Sequence, residues 1–434
     1  MPSSTPMPPI PDMRPRFPPQ LGPPPELWSP PPDPEKPACP YRPGFSVEIK
    51  RHIPPPPFGD PHHGPGAWRE RSDVDLHEVT QTRVVMEYPP LEPPPTSPSP
   101  PAPTVLAAKL TILSALAVED GRGPQLVVCS VTPHASPSPG QSEPPAPYQA
   151  VAKIFDPLYY SFENRVAAHM PVLVAWKADV HYTHEAAALD HLAKRAQTDG
   201  DAGLLAPKYF GSWTFTLPIT HAGRKRQRAI RLVLMENIKG PSMRAVCLAP
   251  SALASYTEQD RLAIFAAVLD GVARQEHAGV DQRDLAARNV VLRTGSPSPA
   301  ARNPEQPLPQ PVIVDYNTAV VFELSRHGKH PSQLHALPPN PMELFWRTSL
   351  PDFPSWTPAA WDGNPKAHQE WLKARFGGEG RVTELDAGFE ALKKEHLKVL
   401  DAAGDSLSER QRKKFSQELD DLKSRSSRRW WQLY

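Results

Sequence analysis

Val280-Asp281-Gln282-Arg283-Asp284-Leu285-Ala286-Ala287-Arg288-Asn289-Val290-Val291-Leu292 is the stretch on which the reading of this chain turns. Its end, Val290-Val291-Leu292, is apolar and β-branched enough to make a strand, and the polar part before it places Arg283, Asp284, Leu285 and Asn289 at set offsets. Alone, the segment also fits an Arg/Asp-rich helix C-terminus followed by an ordinary strand, because a motif is a hypothesis until its context is found. That context lies on both sides. Upstream, between Tyr256 and His277, Leu262, Phe265, Ala266, Leu269 and Val272 recur at helical spacing and predict a core helix that delivers the chain to the loop. Downstream, Pro311-Val312-Ile313-Val314-Asp315-Tyr316-Asn317 is an apolar run ending on a carboxylate.

The 280–292 segment resembles the catalytic loop of the protein-kinase superfamily, whose signature is His-Arg-Asp-Leu, three free positions and Asn. Gln282 stands where that signature has His. The closest likeness is to divergent fungal kinase-like proteins, over about Val105 to Phe376. The resemblance implies an α+β, bilobal protein-kinase-like fold over 104–380, with a β-rich N-lobe (104–238) and a shortened helical C-lobe (239–380). It also implies ATP and magnesium as cofactors. Asp284 would accept the proton of the attacking hydroxyl, Arg288 would balance charge near the transferring phosphate, and Asn289 and Asp315 would hold Mg²⁺.

Other segments extend the resemblance. Val105 to Val118 suits a strand or a helix, while Gln125–Val131 and Tyr148–Phe155 read as strands. Ala152-Lys153-Ile154 stands where kinases carry V-A-I-K, so Lys153 would hold the α- and β-phosphates; a snorkelling surface lysine is the plainer alternative. Its carboxylate partner would be Glu185 on an alanine-rich helix over 184–193, with Glu163 as the fallback and an insertion over Leu158–Val180. Strands four and five are expected over Leu205–Phe215 and Ala229–Leu234, joined by a basic loop, His221–Arg228. The second leads into Met235-Glu236-Asn237-Ile238, where Met235 would gate an adenine pocket and Glu236 and Ile238 would offer backbone groups to the base. His181, His184 and His191 lack the H-E-x-x-H spacing of a zinc helix and read as helix-surface histidines.

The departures are as plain. Glu119-Asp120-Gly121-Arg122-Gly123-Pro124 replaces the glycine-rich loop without its G-x-G-x-x-G pattern. Asn317 replaces the glycine of Asp-Phe-Gly, and Pro341-Met342-Glu343 is only an echo of the A-P-E that closes an activation segment.

Composition bounds the rest. Of the 60 prolines in 434 residues, 33 precede Thr104, which marks 1–103 as a proline-rich, largely disordered arm. Two islands interrupt it: Phe45–Lys50 alternates like a strand, and Val74–Tyr88 has the apolar content to dock, while Arg14–Pro18 suits a proline-binding module. Residues 381–434 read as a charged helical tail. Lys plus Arg (48) nearly balances Asp plus Glu (47), which gives no ground for a nucleic-acid or membrane partner. Three scattered cysteines suggest reduced thiols in a cytoplasmic or nuclear protein. The functional expectation is an ATP-dependent phosphotransferase acting on a protein Ser/Thr hydroxyl. A pseudokinase scaffold and a small-molecule kinase of the aminoglycoside-phosphotransferase type remain as alternatives.

Overall fold

Six strands close on themselves. The computed structural model of the protein describes residues 28–64, 66, 75–93, 107–134, 146–164, 170–199, 203–296 and 306–377, excepting positions 327, 330, 335, 347 and 349. Strands β1 (Ser46–Arg51), β2 (Ala107–Ala117), β3 (Gln125–Pro133), β4 (Tyr148–Phe155), β5 (Tyr209–His221) and β6 (Arg224–Glu236) form a closed antiparallel barrel in the order β1-β2-β3-β4-β6-β5. Alternation sets the inner face: Ala108, Leu110 and Ile112 of β2 and Val127, Cys129 and Val131 of β3 are all buried.

Strand β1 is the closing stave. It pairs with β2 along its length and with β5 at its end, where Lys50 lies opposite Thr214 and Arg51 opposite Trp213. The Arg51 guanidinium lies 5.2 Å from the Trp213 ring centroid and donates to the Phe210 carbonyl at 2.8 Å. Gly211 makes this seam possible. Its φ is 102°, and a Cβ there would sit 1.1 Å from Arg51 Nη1.

This barrel overturns the expected bilobal protein-kinase-like fold with its β-rich N-lobe and shortened helical C-lobe. The reason is local: β1 is the strand-like island at Phe45–Lys50 in an arm otherwise expected to be disordered, and its buried Ile49 draws it between the β2 and β5 edges, leaving the barrel sheet without a free edge. The second island of that stretch supplies helix α1 (Gln81–Glu87), capped by Thr80. Arg14–Pro18, most of the loop expected after Thr294, and the tail expected over 381–434 lie outside the described residues.

The basic loop expected over His221–Arg228 is also strand. Only Ala222 and Gly223 turn the chain, with φ of 50° and 69°, the paired positive values of a tight hairpin whose twist matches its strands.

Helical content is modest. Helix α2 (Val174–Asp199) starts inside the expected insertion and contains the 184–193 segment. The remaining helices are α3 (Met243–Cys247), α4 (Pro250–Ala254), α5 (Glu258–Ala278), α6 (Pro341–Phe345) and α7 (Pro365–Phe376). A Thr257–Asp260 capping box opens α5, and Gly279, at φ 99°, ends it. Two short ladders flank the 282–289 loop: β7 (Val280–Asp281) with β10 (Val320–Val321), and β8 (Val290–Arg293) with β9 (Gln310–Ile313). Val174, Ala175 and Ala178 of α2 pack in the barrel core. Further along the same helix, Tyr182, Ala186 and Leu189 join a second cluster with Phe265, Phe353 and Trp356. No helix among the described residues is long and apolar enough to cross a membrane.

Candidate active site

Lys153 leaves β4 into the gap between the barrel and α2, and two carboxylates meet it. Its Nζ donates to Glu185 Oε2 of α2 at 2.6 Å and to Asp315 Oδ1, just past β9, also at 2.6 Å. It is therefore not the exposed lysine of the plainer reading, and its partner is Glu185 rather than Glu163, which is exposed. Burial alone would drive the ammonium towards neutrality, but Asp315 and Glu185 outweigh it and hold its pKa above the usual lysine value. Burial and the neighbouring Asp315 push Glu185 up to about 7 against the pull of Lys153. For Asp315, burial acts upward and the Lys153 ammonium more than reverses it, so its pKa lies below the ordinary range. The Tyr316 amide donates to Glu185 Oε2 at 2.8 Å, which ties α2 to the chain beyond Asp315.

The 282–289 loop is held by side chains within it. Gln282 Nε2 donates to the carbonyls of Asp315 at 2.8 Å and Val314 at 3.2 Å, while its Oε1 accepts from the Asp284 amide at 2.9 Å. One amide side chain thus donates across to the Asp315 turn and accepts from the backbone of its own loop two residues on. Two non-glycine residues flanking this tie, Arg283 (φ 66°) and Asp315 (φ 67°), are left-handed, a costly backbone state that persists only where the surroundings impose it. The left-handed position is Asp315 itself, not Asn317, which stands where a glycine was expected. We expect Gln282→Ala to lower stability by about 1–3 kcal/mol in urea denaturation, and Gln282→His to recover most of the loss. Equal losses in both would show that this bridge does not hold the loop.

Asp284 is engaged on both oxygens. Arg288 Nη2 donates to Oδ1 at 2.5 Å and Asn289 Nδ2 to Oδ2 at 2.7 Å, with a further bond from Asn289 Nδ2 to the Asp284 carbonyl at 2.8 Å. Asn289 Oδ1 carries no hydrogen bond among the described residues, and the β8–β9 register, with Val290 opposite Ile313, brings Asn289 beside the Asp315 turn. The Asp315 side chain is 34% exposed, which leaves one carboxylate oxygen for a ligand. Hard oxygen donors of this kind suit Mg²⁺. Asp284 and Arg288 line a cleft of about 460 Å³ together with His181, His184, Arg283 and Asp60.

The other expected positions are placed less openly. Met235 is buried in β6, opposite Val151 and Tyr209. The Glu236 amide donates to the Lys208 carbonyl at 2.8 Å, and its carboxylate accepts from Arg293 at 2.5 Å. Ile238 is half-buried. The Glu119–Pro124 turn is stapled by Gln125, whose amide donates to the Glu119 and Gly123 carbonyls at 3.0 and 2.7 Å. The Gly123 N–H is used by the Tyr159 carbonyl at 3.1 Å, so it does not face outward as a phosphate cradle would.

The three histidines of α2 are not surface residues. His191 lies between the Ala278 carbonyl and Glu323, and His184 donates from Nε2 to the Phe58 carbonyl at 2.8 Å. Burial, reinforced by Lys177 and Lys153, pulls His181 down to about 3. A histidine depressed in the folded state contributes stability that is complete above pH 6.5 and is lost as pH falls from there towards the folded value. The loss expected from His181 at pH 5 is about 2 kcal/mol. Melting at pH 7 and pH 5 should show it, with His181→Gln flattening the difference; an unchanged slope would mean that other groups set the acid limit.

Sequence reasoning misses both the double role of Gln282 and the contribution of Asp60. The available signals are the His-to-Gln change and an Asp-x-His-His turn far upstream. No protein-family model matches the chain, and no curated protein matches it either.

Proposed function

We propose that the protein is an ATP- and Mg²⁺-dependent phosphotransferase that moves the γ-phosphate of ATP to a hydroxyl acceptor, a protein serine or threonine. The observation that carries this reading is the buried Lys153–Glu185–Asp315 cluster joined through Gln282 to the loop bearing Asp284 and Asn289. Phosphoryl transfer needs positioning and charge neutralisation more than covalent chemistry, and these side chains supply both. Lys153, oriented by Glu185, would hold the α- and β-phosphates. Asp315 and Asn289 Oδ1 would hold the metal, which when bound supplies positive charge to the phosphates. Asp284 would take the acceptor proton, and Arg288 would sit beside the transferring group. Three free cysteines fit a reducing compartment, the cytoplasm or nucleus.

A second reading has its own observation. Both Asp284 oxygens are occupied, and Lys153 is spent directly on Asp315, an arrangement equally suited to a nucleotide-binding scaffold without turnover. Calorimetric titration of ATP into the full-length chain, with and without Mg²⁺, separates the outcomes. The phosphotransferase reading expects Mg²⁺-dependent binding that Asp315→Ala abolishes, followed by γ-phosphate transfer. Binding without transfer would establish the scaffold, and no binding would remove both. The full chain is required because β1 completes the barrel.

A further inference from the structure

The turn that carries Asp60 meets α2 at two histidines. Asp60, His63 and His184 each place one atom of metal-ligating type within 4.8 Å of the other two. His63 and Asp60 belong to the Gly59–Gly64 turn, closed by hydrogen bonds of 2.6 and 2.8 Å that join Gly64 to Gly59 and Asp60, and His184 belongs to α2, next to Glu185. The imidazole rings of His63 and His184 lie 5.0 Å apart at 72°.

The hydrogen bonds settle which nitrogens are committed. Asp60 Oδ1 can only accept, so at 3.1 Å His63 Nδ1 is the donor and Nε2 keeps the lone pair. By the same logic the Phe58 carbonyl takes the His184 Nε2 proton, and the lone pair is on Nδ1. Those two nitrogens, His63 Nε2 and His184 Nδ1, are buried and have no hydrogen-bond partner among the described residues. The His63 side chain is 0% exposed and His184 is 2% exposed. Buried polar atoms are nearly always satisfied, and the unpartnered His184 Nδ1 beside the His63 Nδ1–Asp60 Oδ1 contact is accounted for by an ion that displaces the His63 Nδ1 proton and takes that nitrogen, Asp60 Oδ1 and His184 together.

We propose that Asp60, His63 and His184 form a binding site for a transition-metal ion of the Zn²⁺ class. Two imidazoles and a carboxylate are the borderline donor set that Zn²⁺ takes, with a position left for water or a further ligand. Asp60 and His184 also line the cleft that holds Asp284. Asp60 is itself anchored: its Oδ1 accepts from the His62 and His63 amides at 2.9 and 2.7 Å, and its Oδ2 lies 3.3 Å from Arg283 Nη1. A metal here joins the 58–64 turn to α2 and, through Arg283, to the 282–289 loop. It needs no phosphotransferase activity and stands whether or not that activity is present.

The test is titration of Co²⁺ into the full-length, EDTA-stripped protein, followed by visible ligand-field absorption and by displacement with Zn²⁺. Wild type should take up a single equivalent with the intense absorption of a four-coordinate ion, and Zn²⁺ should raise its melting temperature. His63→Gln and His184→Gln should each weaken binding by at least the roughly 10–100-fold that losing an outer-shell partner costs, while His191→Gln should bind as wild type. Melting in EDTA checks that the variants are folded. Weak, octahedral-type absorption in wild type, or equal affinity in wild type and a folded His63→Gln/His184→Gln double variant, would overturn the site.

Discussion

Lys153→Ala is expected to lower stability by about 3–5 kcal/mol, the usual consequence of removing one member of a buried ion cluster. The loss is larger than that of the lysine's own contacts because Glu185, fully buried, and Asp315 are left facing each other without a cation. Their repulsion can be relieved only by taking up protons, so both carboxyl pKa values rise in the folded variant. A carboxylate raised in the folded state binds its proton more tightly there than in the unfolded chain. The deficit should therefore be small near pH 5 and grow as pH rises towards 8. Urea denaturation of wild type and variant at both pH values reads this directly. Lys153→Ala/Glu185→Gln, which leaves a single carboxylate, should recover part of the loss at pH 8. A variant as stable as wild type at pH 8 would mean that the cluster is not buried as described.

The second large effect concerns rate. Under the proposed phosphotransferase function, Asp284→Asn should lower turnover by about 10²–10⁴-fold, the range that a positioned general base contributes. Mg²⁺-ATP affinity should stay near wild type, because Asp284 is not among the proposed nucleotide or metal ligands. The substituted amide keeps an acceptor for Arg288 but cannot take a proton. Single-turnover transfer and equilibrium binding on the same samples separate the two effects. Equal loss of binding and rate would instead make Asp284 part of the nucleotide site.

Local patterning was legible where apolar residues run together or recur at helical spacing. The apolar runs Gln125–Val131 and Tyr148–Phe155 correspond to β3 and β4, and the helical spacing of Phe265 and Leu269 corresponds to α5. Closure of the barrel was not legible, because it depends on a six-residue strand embedded among prolines and on a partner far along the chain. The alternation of Phe45–Lys50 showed the strand itself, but nothing local names its partners. The positions Lys153, Glu185 and Asp315 were readable as charges in apolar surroundings, and the structure brings them together at 2.6 Å. Gln282 could be read only as a departure, since its value lies in a donor that reaches the remote Asp315 turn while its acceptor fixes the backbone of its own loop. The His184 pairing with His63 was hidden for the same reason: a ligand set split between a turn and a helix has no spacing to recognise.

The seam between β1 and β5 also sets an order of events. During synthesis β1 emerges long before Trp213 and its neighbours, and at ordinary translation rates it waits on the order of ten seconds for its second partner. Until then it is a bare strand edge, and contacts this distant in sequence form slowly. The prolines and the charged Glu48, Lys50 and Arg51 around Ile49 are the features that keep such an edge from pairing with a neighbouring nascent chain. The proline-rich surroundings of this strand thus also protect it until the barrel can shut.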